Sequence, residues 1–285
     1  MKDIAFITTC KGRLHHLQQT LPLWVAESPA EIVVVDYGCP QGAGDWVAKN
    51  YPTVTVVRVE DDPGFCLPRA RNLGAQKSTA PWLCFIDADV KVTPGWTQWM
   101  ADNLDAGCFY RAGKIDGERI LDTWGTVLCG RKEFVDVGGY DEVFRGWGGE
   151  DDDLYERLKM AGYAESEYPA RFVDAIRHDD VERTLFHEIK EKKFQFLVNR
   201  FYTEAKLDLM KIIGKDLPLT DRLLIMEKIK AEIMAWSLDQ ANKNAGFTTT
   251  FSIPAWLPEP FRMVKNYTIT LNMQNIERIP LPPIN

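Results

Sequence analysis

Two short acidic motifs carry most of the chemistry in this sequence. Asp87-Ala88-Asp89 follows the apolar run Trp82 to Ile86, which reads as a buried strand. Alone the pattern means little, because chance supplies about as many Asp-x-Asp pairs as the chain holds. Its place gives it meaning. Two carboxylates one residue apart at a strand end can grip a divalent cation and a ribose hydroxyl together. The second motif is Gly146-Trp147-Gly148-Gly149-Glu150-Asp151-Asp152-Asp153. Acids suit the first turn of a helix, and glycine suits the loop before it. Capping needs fewer acids than these, and adjacent carboxylates repel one another. Crowding of that kind raises a carboxylate pKa, as a general base requires. Trp147, flanked by glycines, offers an aromatic platform with close backbone approach, as a sugar ring would use; a place in the core is its other reading.

Two further segments are weaker candidates. Ile176-Arg177-His178-Asp179-Asp180 ends a strand-like run, and an imidazole joining a carboxylate suits Mn²⁺ more than Mg²⁺. Thr8-Thr9-Cys10-Lys11-Gly12-Arg13 links the first strand to the first helix. It is neither a P-loop nor a GxGxxG, which argues against a Walker NTPase or a Rossmann dehydrogenase. Arg13, Arg69 and Arg71 could each serve a phosphate or a surface ion pair.

The elements that must position these residues follow from hydrophobic period. Apolar strand-like runs at 4–8, 32–35, 53–59 and 82–86 alternate with helical patterns at 14–24 and 67–77. Continuous apolar strands separated by helices predict an α/β fold whose parallel sheet is covered on both faces. Ligands then bind beyond the carboxyl ends of the strands. Those ends carry Thr8-Thr9, Asp36, Glu60-Asp61-Asp62 and Asp87-Ala88-Asp89, which suggests a cation or a hydroxyl-rich ligand among them. Further strands are expected at 124–129 and 172–176, and a helix at 150–160. Residues 184–245 read as long charged helices, with Phe186, Ile189, Phe194, Leu197 and Phe201 on one apolar face and Leu223, Ile229 and Ile233 on another. The last stretch is proline-rich, with Tyr267, Ile269, Leu271 and Met273 alternating like a strand.

Composition bounds the rest. The chain has 285 residues and a net charge of −7, against the basic footprint of a generic nucleic-acid binder. Its six cysteines lie in the first half without a CxxC pair and read as free buried thiols of a reducing compartment. The N-terminus starts directly with a strand, and no apolar run approaches a membrane span. A cytoplasmic protein, at most peripheral to a membrane, is expected.

Several segments together resemble GT-A glycosyltransferases over about residues 3–180. TTCKGRLHHL is similar to the first nucleotide segment of the family 2 type, PRARNLGA to the helix before the DxD, and FIDADV to the DxD strand. WGTVLCGRKEFVDVGGYDE resembles the stretch leading to the acceptor loop. GWGGEDDDLYERL followed by IRH resembles the β-1,4-galactosyltransferases. The resemblance implies a GT-A mixed sheet flanked by helices. Together with the helical pattern after residue 184 and the proline-rich end, it divides the chain into a catalytic domain (1–183), a helical extension (184–246) and an arm (247–285).

It also implies roles. Asp89 and His178 would ligate Mn²⁺ or Mg²⁺, with Asp87 at the metal or ribose beside Ala88. Asp151 would be the base. Trp147, Gly148, Gly149, Glu150 and Asp152 would line the donor and acceptor pocket. Thr8, Thr9, Lys11, Arg13 and Arg69 would hold the nucleotide diphosphate, and Asp36 the base or ribose. One departure stands out: the galactosyltransferases place a Met ligand three residues before the His, and here that residue is Ala175. The implied activity is inverting transfer of a hexose from a nucleotide-diphospho-sugar, UDP-linked, to an acceptor hydroxyl. A retaining transferase, or a non-catalytic sugar- or nucleotide-binding module, is the alternative. The acceptor class is open among a glycan, a peptide, a lipid-linked sugar and a modified nucleobase. Residues 184–285 lie outside the resemblance; their apolar residues, among them Trp236, Phe251 and Trp256, are expected to pack beside the acceptor and in a homodimer contact.

Overall fold

Successive residues of the first strand, β1 (Ile4–Cys10), feed two different cores. Ile4 and Phe6 join one apolar cluster, Ala5 and Ile7 the other. Strand β2 (Glu31–Asp36) does the same, with Val34 on one side and Val33 and Val35 on the other. Such strands must be covered on both faces. The computed structural model describes residues 3–177, 182, 184–238, 245–255 and 260–273. In it, helices α1 (Leu14–Ala26), α2 (Ala43–Asn50) and α4 (Trp96–Asn103) contribute to the first core. Helices α3 (Leu67–Lys77), α5 (Arg131–Asp136) and α6 (Glu150–Met160) contribute to the second.

The remaining strands of the sheet are β3 (Thr55–Arg58), β4 (Trp82–Phe85), β6 (Cys108–Ala112), β7 (Val127–Gly130) and β8 (Ala164–Tyr168), in the order β3-β2-β1-β4-β7-β6-β8. The first four are parallel, as the sequence predicts. Strand β7 then runs antiparallel to both β4 and β6, so the sheet is mixed. A small ladder lies outside it, where β5 (Val90–Val92) pairs antiparallel with β9 (Val173–Ala175). This ladder matters for the site, because β5 directly follows the Asp87-Ala88-Asp89 motif.

The chain divides into two compact units, Met1–Lys192 and Lys193–Asn285, beside the expected boundaries at 183 and 246. The second unit holds most of α7 (Lys192–Ile213), α8 (Leu219–Leu238) and an antiparallel ribbon of β10 (Ala245–Ala255) and β11 (Met263–Met273). Helix α8 buries Ile225, Ile229 and Ile233, a stripe at the i, i+4 spacing, and leaves Leu223 exposed. On α7 the fully buried face is Val198, Tyr202, Ala205 and Leu209, while Phe194, Leu197 and Phe201 are only half-buried. The side chains of Trp236 and Phe251, and Trp256 itself, lie outside the described residues. The cysteines are all free, and each is buried except the half-buried Cys108.

Candidate active site

Helix α1 fixes the backbone of the Asp-Ala-Asp motif. Thr20 donates its hydroxyl to the Ala88 carbonyl at 2.8 Å, and Trp24 donates its indole N–H to the Val90 carbonyl at 3.0 Å. The Val90 amide closes the turn on the Asp87 carbonyl at 3.0 Å. From the other side, Val90 pairs with Ala175, and the Ile176 amide donates to the Asp89 carbonyl at 2.8 Å. Ala175 and Ile176 are thereby held beside the acidic motif. Ala175, where the resemblance would place a Met, is the residue across from Val90. His178, Asp179 and Asp180 lie outside the described residues.

The four acids that open α6 share one turn but not one environment. The loop before them needs glycine, since Gly146, Gly148 and Gly149 all have φ near +90° (87°, 84° and 95°). Asp153 is fully buried and paired with Arg157 at 2.8 Å, and Arg157 also donates to the Gly139 carbonyl at 2.7 Å. Asp152 accepts from the Trp124 indole at 2.9 Å. Asp151 accepts from Arg71 Nη1 at 2.6 Å. Glu150 is buried, and burial together with the neighbouring Asp151 pushes its pKa up to about 8. The mutual repulsion of the run is thus relieved by separate partners, and in Glu150 by a retained proton.

Arg71 is the centre of the arrangement. It sits on the buried face of α3, almost wholly out of solvent, and its other amino group, Nη2, donates to Asp87 at 2.9 Å. One guanidinium therefore bridges the first Asp of the strand-end motif to the candidate base on α6. Its plane also lies 4.9 Å from the Tyr140 ring centroid. The Asp151 carboxyl is held above its usual range by burial, with Arg71 opposing and Asp87 reinforcing the shift. A fourth wall is Gly125. A Cβ there would stand 2.9 Å from Arg71 Nη2, 2.9 Å from Asp151 Oδ2 and 3.3 Å from Asp87 Oδ2, so a side chain would fill the space between the three groups. Gly125 is placed by Trp124, whose carbonyl accepts from the Tyr155 hydroxyl at 2.8 Å and whose ring lies 4.2 Å from the Arg111 guanidinium.

The residues expected to hold a nucleotide fall into smaller groups. Arg13 Nη1 lies 3.7 Å from Asp89. Lys11 donates to the Gly64 and Pro63 carbonyls at 2.6 and 3.2 Å, and burial lowers its pKa. Arg69 pairs with Asp61 at 2.6 Å, so Lys11 and Arg69 both tie down the loop after β3. Tyr37 donates to Asp62 at 2.7 Å in the same group. Both Asp36 oxygens are engaged by backbone amides, Cys39 at 2.7 Å and Gly44 at 2.8 Å, so this carboxylate organises the start of α2. Thr8 and Thr9 are buried at the end of β1. Trp147 is half-buried and carries the Lys192 ammonium 4.1 Å from its ring centroid.

The sequence offers Arg71, like Arg13 and Arg69, only as a phosphate or surface ion-pair candidate; the structure places it between the two acidic motifs. A signal existed: Arg71 shares a helix face with Gly74 and Ala75, at i+3 and i+4, and small residues mark the side of a helix that lies close to a sheet. Trp124 and Gly125 carried no such signal, because the segment reads as a strand and folds as a turn before β7.

Comparison with known proteins follows the same outline. A model described as glycosyl transferase family 2 matches residues 6–126, and one described as the N-terminal domain of galactosyltransferase matches residues 114–180. Mouse beta-1,4-galactosyltransferase 2 is 26% identical over 166 residues, covering 51% of this chain and 41% of that protein. Among solved structures, S. aureus TarS in complex with UDP-GlcNAc superposes with a TM-score of 0.58 at 14% identity, over 84% of this chain and 74% of that one. The Pyrobaculum calidifontis mannosyltransferase PcManGT, in complex with GDP-Man and Mn²⁺, gives 0.53 at 16% identity, over 84% and 76%. The fold is that of the GT-A glycosyltransferases. Within that class, residues 6–126 resemble the family 2 glycosyltransferases and residues 114–180 the galactosyltransferases. The chain spans about two-fifths of the length of the curated relative just named.

Proposed function

We propose that this protein transfers a hexose from a UDP-linked donor to an acceptor hydroxyl with inversion, and that Asp151 is the base. The observation that carries the reading is the Arg71 bridge, which holds Asp151 and Asp87 on opposite sides of one buried cation. The strand-end acids mark where a donor diphosphate would lie, and Asp151 faces the same small space from α6. Support for a nucleotide-diphospho-sugar comes from the complexes of TarS and PcManGT, which hold UDP-GlcNAc and GDP-Man. The choice of UDP rests on the galactosyltransferase resemblance.

The strand-end motif offers oxygen donors of the kind that suit Mn²⁺ or Mg²⁺: Asp87, which accepts from Arg71, and Asp89, which lies 3.7 Å from Arg13. Asp89 and His178 would hold the ion, with Asp87 beside them, and the bound ion would neutralise charge on the departing diphosphate. The rest belongs to side chains of this chain. Asp151 takes the proton of the acceptor hydroxyl as that oxygen bonds to the anomeric carbon and the bond to the diphosphate oxygen breaks. Burial and the neighbouring Asp151 raise the Glu150 pKa, and burial raises that of Asp151 too, with Arg71 opposing the shift. Trp147 offers a ring face to the sugar. A single displacement needs no nucleophile on the enzyme. Asp at 151 disfavours the retaining alternative, in whose relatives an Asn follows WGGE, and an intact Asp-Ala-Asp disfavours a merely binding module.

The test is a screen of nucleotide sugars for turnover, with and without EDTA, reading the nucleotide released. UDP release from a UDP-hexose, lost on chelation, is the expected result. Turnover unchanged by EDTA would remove the metal from the reading, and release of diphosphate would indicate a nucleotidyltransferase instead.

A further inference from the structure

The first turn of α1 presents two adjacent imidazoles, His15 and His16, to Glu182. His15 Nε2 lies 3.7 Å from Glu182 Oε1, and His16 Nε2 lies 4.0 Å from Glu182 Oε2. The three ligand atoms fall within 4.8 Å of one another. The two rings are 4.0 Å apart at their centroids and tilted by 50°, so both nitrogens converge on the carboxylate rather than diverge around the helix. His16 is buried, with its side chain only 4% exposed, while His15 and Glu182 reach solvent. The helix carrying the pair is anchored to the acidic motif through Thr20 and Trp24. Glu182 lies four residues after His178 in sequence.

We propose that His15, His16 and Glu182 form a second divalent-metal site, selective for a borderline transition ion such as Zn²⁺, which ties Glu182 to α1. Two imidazoles and one carboxylate are a ligand set for zinc, with a fourth position left to water. Hard cations prefer oxygen, so Mg²⁺ and Ca²⁺ would bind poorly. Tetrahedral zinc at about 2.0–2.1 Å from each donor spaces the donors about 3.3 Å apart. The observed spacing is a few tenths of an ångström to about 1.5 Å wider, within reach of side-chain rotation. The site is distinct from that of the cation of the proposed reaction, since it uses none of Asp87, Asp89 or His178, and it stands whether or not that reading does.

The experiment uses the full chain stripped of metal and titrated with Zn²⁺ against a chromophoric chelator, in the wild type and in Asp89→Asn. The proposal predicts that Asp89→Asn still binds one zinc tightly. Adding His15→Ala, an exposed and structurally mild change, should weaken that zinc by at least about 100-fold, since even outer-shell partners cost 10- to 100-fold. Glu182→Gln should do likewise. Co²⁺ should give d–d absorption of tetrahedral intensity in Asp89→Asn and lose it with His15→Ala. No tight zinc in Asp89→Asn, or zinc binding unchanged by His15→Ala, would overturn the proposal and leave the cluster as a His–Glu ion pair.

Discussion

At the scale of single residues, the site is a problem in distributing charge. Asp151 and the partly exposed Asp87 meet at Arg71, and removing that cation leaves the largely buried Asp151 carboxylate without its counterion. Breaking a buried pair in this way costs about 3–5 kcal/mol. Arg71→Ala is therefore expected to lower the urea midpoint strongly, and Asp151→Asn in the same chain to recover part of the loss, measured as a double-mutant cycle. Lack of any coupling between the two would mean that the bridge is not formed in solution. Glu150 gives a pH signature. Its folded pKa lies above that of an ordinary carboxylate, so the folded state binds the extra proton between about pH 4.5 and about pH 8, and stability falls as pH rises through that window. Glu150→Gln cannot ionise, so its melting temperature should fall less than that of wild type between about pH 5 and about pH 9. Parallel curves would assign the proton elsewhere. The sequence revealed the crowding of these acids but not its resolution, because partners such as Arg71, Trp124 and Arg157 are distant in sequence or carry no chemical flag.

At the scale of elements, the legible parts were those whose pattern has one physical cause. Strands β1, β2 and β4 are buried on both faces and read as continuous apolar runs. Strand β8 was not legible: AESEY sits at the sheet edge, with Glu165 paired to Arg111, Arg119 and Lys159. Strand β6 hides an arginine, Arg111, whose guanidinium lies 4.2 Å from the Trp124 ring centroid and 4.0 Å from that of Tyr155. Aromatic faces replace the apolar neighbours that a periodicity search expects. Helix α3 is drawn close to the sheet by Gly74, where a Cβ would stand 2.5 Å from Ile7 Cγ2 and 3.1 Å from Val35 Cγ2. Gly74→Ala should thus destabilise by about 1–3 kcal/mol through overpacking, despite alanine's better helix propensity. A stabilised variant would show that the helix can move away freely. Because α3 also carries Arg71, activity should fall with the packing.

At the scale of the whole molecule, the two-core unit Met1–Lys192 contains every described residue of the site, and the second unit contains none. An isolated two-stranded ribbon is marginal in water, and β10–β11 pairs Thr248 with Thr270 and Thr250 with Thr268 on one exposed polar face. In backbone register Tyr267, Ile269 and Leu271 stand across from residues 251, 249 and 247. We propose that this region carries a homodimer contact. Light scattering should give twice the chain mass, and deletion after residue 244 should return a monomer. A monomeric full-length protein would remove the dimer from the account. No described helix is long and apolar enough to cross a membrane.

The central claim is single displacement with Asp151 as the base, and the hexose released to water in the absence of an acceptor reports on it directly. Proton NMR should follow the first-formed anomer as the enzyme, with Mn²⁺, hydrolyses a UDP-α-hexose. The β anomer should appear first, before mutarotation, and Asp151→Asn should slow its appearance by about 10²-fold or more with little change in donor affinity. An α anomer formed first, or an Asp151→Asn enzyme as fast as wild type, would contradict it.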